Sequence, residues 1–474
     1  MASPPADVDL GKLSYEIFSL LESKFLFGAT AAGSVPGTPA RPAVGEDDRG
    51  RVRVLAIDGC GPGPADALLA AVALARLEAA LRDRAGDPAA RVADFFDAAA
   101  GAGAGGVLAA MLFLRGDDGR AKYSAADALA FVAASLGRRK QSGWGDAGGG
   151  ARRSRWASLL FRRGGERRLS PLRRVFGDAT LRDTVAPLLV PCYDLATAAP
   201  FLFSRADAVE SGSYDFFLRD VCAATCADGG AGAAAVPVRS VDGRTAIAAA
   251  SGGVAAMGNP AAAAITHVLH NKMEFPLANG VDDLLVVSIG SGSSAAAVAA
   301  AAATATPNAG WRTPLPPRSP SPAEMVRLTA EGVADMVDQA VAMAFGHTCG
   351  RNYVRIQAAS PASCTGKKKA VDAKKAVAAA DGMLTQRNVE AELFRGRRLS
   401  EKSNREKLDA FAAELVKEHQ RRARSPGLPN VVIKQAPTAA TPRPSSATTA
   451  SSATATGRTT STMPSPASQD SCQH

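Results

Sequence analysis

The run Gly101-Ala102-Gly103-Ala104-Gly105 is where residue types and spacing first suggest a reaction. It follows the apolar stretch Asp94-Phe95-Phe96-Asp97-Ala98-Ala99-Ala100 and opens the helical run Gly106-Val107-Leu108-Ala109-Ala110-Met111-Leu112. Strand, sharp glycine turn and helix form the setting of a nucleophile elbow, in which the central serine of G-x-S-x-G is presented to a carbonyl carbon. Here the central position is Gly103, so the turn is written without its attacking hydroxyl.

A second glycine loop, Asp58-Gly59-Cys60-Gly61-Pro62-Gly63, closes the strand-like Val52-Arg53-Val54-Leu55-Ala56-Ile57. Successive backbone N–H groups in such a loop can converge on one anion, aided by the dipole of the following helix. The anion could be a dinucleotide phosphate or the oxyanion of an acyl transfer. A dinucleotide site wants an acid about twenty residues on, at the end of a second strand. Glu78 has that spacing but falls inside the helix expected over about 65–82, and Cys60 and Pro62 break the dinucleotide spacing. Taken with the elbow, an oxyanion hole is the better fit. A third piece, Ser251-Gly252-Gly253, precedes a helix over Ala261 to Leu269 with Pro260 near its start; by itself it reads as a turn and cap. His267 and His270 read as packing or helix-surface residues, and Cys60 as a small loop residue. Cys222 and Cys226 lie one helical turn apart with no second pair at zinc-site spacing, so they read as a half-buried structural pair. No metal and no cofactor is expected.

These pieces need a scaffold. Strand, glycine loop, helix, strand, glycine turn and helix in that order imply a largely parallel sheet with helices on its faces. Further strands are expected at Leu188 to Tyr193, Phe201 to Phe203 and Asp282 to Gly290, and helices at Ala323 to Ala344 and Glu401 to His419. The expected organisation is an N-terminal helix and linker over 1–50, with apolar residues at helical spacing in Leu13 to Leu21. An α/β domain over 51–420 follows, interrupted by a basic insertion at 136–174 and a low-complexity loop at 293–321. The Ser, Thr, Ala and Pro tail of 421–474 cannot bury enough apolar surface to become ordered.

The order of D-G-x-G at Asp58, D-F-F-D with the glycine elbow, Leu188-Leu189-Val190-Pro191-Cys192-Tyr193-Asp194-Leu195, Gly252-Gly253-Val254 with Asn259-Pro260, and Thr266-His267-Val268-Leu269-His270-Asn271 resembles the patatin-like lipid acyl hydrolases, in particular their plant group III branch. Leu13-Ser14-Tyr15-Glu16-Ile17-Phe18, Asn279-Gly280-Val281-Asp282-Asp283 and Leu384-Thr385-Gln386-Arg387-Asn388 extend the likeness, which runs from about Leu13 to Lys417. The resemblance implies a three-layer α/β/α fold that cleaves acyl esters of phospholipids and galactolipids with a Ser–Asp dyad. Carried over by position, the nucleophile site is Gly103, flanked by Gly101 and Gly105; the dyad acid site is Ser251; and the oxyanion loop is Gly59, Cys60 and Gly61. Glycine in the elbow is common in that branch, whereas Ser251 stands where an aspartate is expected. With neither dyad residue intact, acceleration rests on the oxyanion hole and binding alone, about 10³–10⁴-fold over water in serine hydrolases. The reading is therefore a lipid acyl hydrolase of reduced power or, alternatively, a catalytically inactive lipid-binding or regulatory protein.

The 474 residues carry a net charge of +10, and twelve basic residues against two acidic ones between Arg138 and Arg174 account for all of it. Trp144, Trp156 and Phe161 lie among those arginines, a composition that suits an anionic bilayer surface at about 1 kcal/mol per basic residue. The same composition also suits nucleic acid or a solvated loop; membrane lipids are the expected partner and nucleic acid is not. Seven scattered cysteines suit a reducing compartment. Neither a secretory signal nor a membrane-spanning run is written in the sequence, so a cytoplasmic protein, peripheral at membranes, is expected.

Overall fold

Strand β1 (Val52–Ile57) is buried at every residue, apolar except for Arg53, as suits a strand covered on both faces. The structure, a computed structural model, describes residues 50–59, 67–137, 171–227, 235–250, 257–294, 322–360, 373–392, 396–424 and 431–433. By its contacts the chain divides into Met1–Gly50 and Arg51–His474, and of the first unit only Gly50 is described. The expected N-terminal helix, residues 138–170 of the basic insertion, residues 295–321 of the low-complexity loop and all of the tail beyond Arg424 except residues 431–433 lie outside the described residues.

After β1 come α1 (Leu68–Ala85), β2 (Ala98–Gly101), α2 (Ala104–Phe113), α3 (Ala125–Gly137), α4 (Pro171–Phe176), β3 (Leu188–Asp194), β4 (Ala199–Ser204), α5 (Arg205–Glu210) and α6 (Leu218–Thr225). The second half adds β5 (Val236–Arg239), β6 (Ala246–Ala250), α7 (Ala261–His270), β7 (Leu284–Ile289), β8 (Ser293–Ser294), α8 (Pro322–Phe345), β9 (Tyr353–Ile356), β10 (Ala359–Ser360), α9 (Ala373–Thr385), β11 (Arg387–Glu392), β12 (Gly396–Ser403) and α10 (Asn404–Arg424). Phe95, expected in the second strand, lies instead in a 3-10 turn over Val92–Phe95, where Asp94 accepts from the Arg91 amide at 2.8 Å. The strand proper starts at Ala98. Helix α10 starts and ends later than expected and carries Arg421 and Arg422, which the composition had assigned to the tail.

The central sheet has the order β5-β6-β3-β2-β1-β7-β9, with β4 also paired to β3. Pairings from β3 through β2, β1 and β7 to β9 are parallel, and β4, β5 and β6 make the antiparallel margin. Alternate residues of β1 enter opposite cores: Leu55 and Ile57 join the larger cluster with α1, α2, α3, α6, α9 and α10, while Val52 and Val54 join a smaller one with α7 and α8. Helices therefore cover both faces, giving three layers, α/β/α.

A charged clamp secures the amino-terminal edge of β1. The Asp97 carboxylate accepts from the Arg53 amide at 2.8 Å and from the Arg53 and Arg422 guanidiniums at 2.8–3.1 Å. Burial works to raise the Asp97 pKa, but the two arginines overrule it and hold the carboxyl at about 2. The Arg51 amide donates to Glu418 of α10 at 3.0 Å.

Candidate active site

At the carboxyl end of the parallel strands, where open α/β sheets place their ligands, β1 runs into Asp58-Gly59 and β2 into Gly101-Ala102-Gly103. The Asp58 amide donates to the Ile289 carbonyl at 2.9 Å and the Ala102 amide to the Ile57 carbonyl at 3.1 Å, so both loops leave the sheet held by ladder-like bonds. Gly103 has φ +52° and ψ −125°. A positive φ strains any residue with a side chain, and a strained turn is what presents a nucleophile at an elbow. The turn has the geometry of an elbow, with a glycine at its apex.

The two glycine loops interlock. A Cβ built on Gly103 would fall on the Gly59 carbonyl oxygen, well inside contact distance. A Cβ on Gly59 would fall on the Ala102 carbonyl and lie 2.7 Å from the Ala104 amide nitrogen, and one on Gly105 would lie 2.6 Å from the Asp58 carbonyl oxygen. Gly101 faces Gly105 and Gly106 at similarly short range. The sequence-predicted Gly59, Gly101, Gly103 and Gly105 are therefore brought together, backbone against backbone. The Gly103 amide is already engaged, donating to Thr225 Oγ1 at 2.8 Å from the end of α6. Cys60 and Gly61, expected in an oxyanion loop, and Ser251, expected at the dyad acid position, lie outside the described residues. Ala250, the residue before Ser251, ends β6 opposite Tyr193 of β3.

Beneath the loop lies a buried polar chain. Arg355 of β9 donates to both Asp58 oxygens, at 3.2 and 2.5 Å, and to Ser288 Oγ of β7 at 2.6 Å. Its Nε lies 3.9 Å from Asp338 of α8, whose other oxygen accepts from the Tyr353 hydroxyl at 2.6 Å. Burial works against the Arg355 charge, yet the Asp58 and Asp338 carboxylates push its pKa above the ordinary arginine value. Burial likewise pushes the Asp58 carboxyl up, and Arg355 pulls it back. Only 1% of Asp58 is exposed, so it serves as the buried footing of Gly59 rather than as a solvent-facing base.

Sequence reasoning missed Arg355 and Thr225. A charge inside the otherwise apolar Tyr353-Val354-Arg355-Ile356 was the available signal for the first; nothing marked the second. Glu78 lies inside α1, as its expected helix requires, and accepts from the Val92 and Ala125 amides at 3.1 Å, which is a structural task. Cys222 and Cys226 are fully rather than half buried; burial pushes the Cys226 thiol up to about 12 and Cys222 well above its ordinary value. His267 packs edge-on to Phe275, and burial lowers its pKa.

The sequence has counterparts among known proteins. A family model described as patatin-like phospholipase matches residues 55–265. Patatin-like protein 3 of Oryza sativa subsp. indica is 54% identical over 416 residues, covering 87% of this chain and 92% of the rice protein. Patatin-like protein 7 of Arabidopsis thaliana is 44% identical, covering 92% and 86% of the two chains. The Arabidopsis thaliana protein named "Probable inactive patatin-like protein 9" is 37% identical over 86% of this chain and 94% of its own length. With identity this high along most of both partners, the chain belongs to the patatin-like phospholipase family.

Proposed function

We propose that this protein is a lipid acyl hydrolase of low turnover, acting on fatty acyl esters of membrane phospholipids and galactolipids from the cytoplasmic side. The observation that carries the reading is the packing of Gly59 against Gly103 at the carboxyl edge of the sheet. An ester carbonyl lying over Gly103 would be polarised by the loop amides that begin at Gly59; water would add to its carbon, the acyl–oxygen bond would break, and the departing alcohol would take up the proton that the water gives up, leaving free fatty acid. Donors fixed in advance at a developing oxyanion commonly supply the largest catalytic share. With no hydroxyl at position 103 and serine at 251, the expected acceleration is about 10³–10⁴-fold over water. Contact with anionic lipid through Arg138 to Arg174 would keep the protein at its substrate.

The test is fatty acid release from mixed phospholipid and galactolipid vesicles. Release above the blank, resistant to serine-directed phosphonates and lowered by Gly61→Val, supports the reading. Release equal to the blank, unaltered by Gly61→Val, sinks it. A second reading, a non-catalytic lipid-binding protein, is favoured by the lack of room for a Cβ at Gly103 and by the Thr225 bond that already occupies its amide. That reading expects no release, together with binding to anionic vesicles that weakens as salt is added.

A further inference from the structure

Helix α8 turns apolar side chains to solvent as well as to the core. A helix on a protein surface normally turns charged residues to water and apolar ones to the core. On α8 every exposed residue whose side chain is described is uncharged. Met336 and Met343 are 69% and 67% exposed, Met325 53%, Leu328 48% and Val333 46%. Met325, Leu328, Met336 and Met343 recur at helical spacing on one side, forming a stripe about 27 Å long at 1.5 Å per residue. Of the two carboxylates described on the helix, Asp338 is buried and Asp335 is half-buried. Asp335 is bonded to Arg397 at 2.7 Å, and Asp338 to Tyr353 at 2.6 Å. Ala334, Val341 and Phe345 fill the core side.

We propose that this outward stripe is the surface by which the protein docks on an uncharged lipid bilayer. Single exposed apolar residues are ordinary, but an aligned row is not. A stripe of that length and about 10 Å width covers about 270 Å², well short of the about 800 Å² per partner of a stable protein interface, so a second copy of the chain is a poor occupant. Among the described residues the stripe carries no charge, which gives an anionic surface nothing to grip there and matches zwitterionic and galactolipid headgroups. Methionine side chains are flexible and polarisable, and adapt to a surface without fixed shape. An amphipathic helix lies in the bilayer interface with its apolar side among the acyl chains. Met273, 68% exposed, follows α7, which packs on α8, and adds a further apolar side chain on the neighbouring element. On its inner side the same helix reaches the candidate site, because Asp338 adjoins Arg355, which holds Asp58. The inference extends the lipid reading above but does not depend on turnover.

The test uses the full chain with vesicles of phosphatidylcholine and digalactosyldiacylglycerol, which carry no net charge, at low and high salt. Binding that is nearly independent of salt is expected. It should fall at least tenfold in the Met336→Glu/Met343→Glu variant and persist in Met336→Leu/Met343→Leu. Both positions are exposed, so thermal unfolding should match the wild type and separate lost binding from misfolding. The proposal is overturned if the wild type ignores these vesicles, if its binding vanishes at high salt, or if the glutamate variant binds within twofold of wild type. A wild-type dimer in light scattering that the glutamate variant dissociates would equally overturn it. Fatty acid release measured on the same vesicles keeps the readings apart: binding without release removes the hydrolase and leaves the docking surface standing.

Discussion

At Gly103 the backbone keeps the conformation of a strained elbow, and glycine relieves the strain. Replacing it with serine adds both a disfavoured φ and a collision with the Gly59 carbonyl. Gly103→Ser should therefore cost about 1–3 kcal/mol in urea unfolding, and it should add no hydrolysis unless the Gly59 loop moves. A Gly103→Ser protein of wild-type stability and raised activity would show that the loop yields. Arg355 is the other decisive residue. Without its guanidinium, Asp58 and Asp338 remain buried beside one another's charge, so Arg355→Met should cost about 3–5 kcal/mol, read as a lowered urea midpoint. A change below 1 kcal/mol would mean the two carboxyls are already neutral. Asp58 was legible as the start of a glycine loop, whereas Arg355 was hidden because one charged letter in a four-residue strand does not alter the pattern around it.

Among the elements, the two that carry the glycine turns and α8 were the most legible, because buried parallel strands and long helices write themselves as apolar runs or strong periodicity. The stretch through Phe95 misled: a capped 3-10 turn and a strand share the same apolar letters, and only the Asp94 side chain decides between them. Helix α9 opens on Lys374 and Lys375, which blur its apolar periodicity, and the polar β11–β12 pair has no clean alternation to announce it. The clamp between β1, β2 and α10 gives a pH dependence whose sign follows from Asp97. Its folded pKa of about 2 lies below the ordinary 3.8, so its stabilisation is complete above about pH 4 and is lost as pH falls through about 2. A shift of that size corresponds to about 2 kcal/mol. Urea midpoints of wild type and Asp97→Asn should differ at pH 6 and converge toward pH 2; a constant difference across that range would contradict the assignment.

For the whole molecule, two features of opposite character stand out: a segment that holds all the net positive charge, and a face of α8 whose described exposed side chains hold none. Salt should separate them. Binding to anionic vesicles should weaken as ionic strength rises, while binding to uncharged vesicles through α8 should not; if both respond alike, one surface suffices. The clamp also has a consequence for biosynthesis. Arg51, one residue before β1, is bonded to Glu418, 367 residues further along. At roughly 5–20 residues per second, a ribosome needs about 20 to 70 s to deliver that partner after the first strand emerges. Throughout that interval the nascent central strand lacks its closing helix, and for most of it β7 as well; contacts so distant in sequence form slowly. Chaperone capture of this protein should accordingly be most frequent before the codon for Glu418 is read, a window that ribosome profiling with chaperone pull-down would reveal.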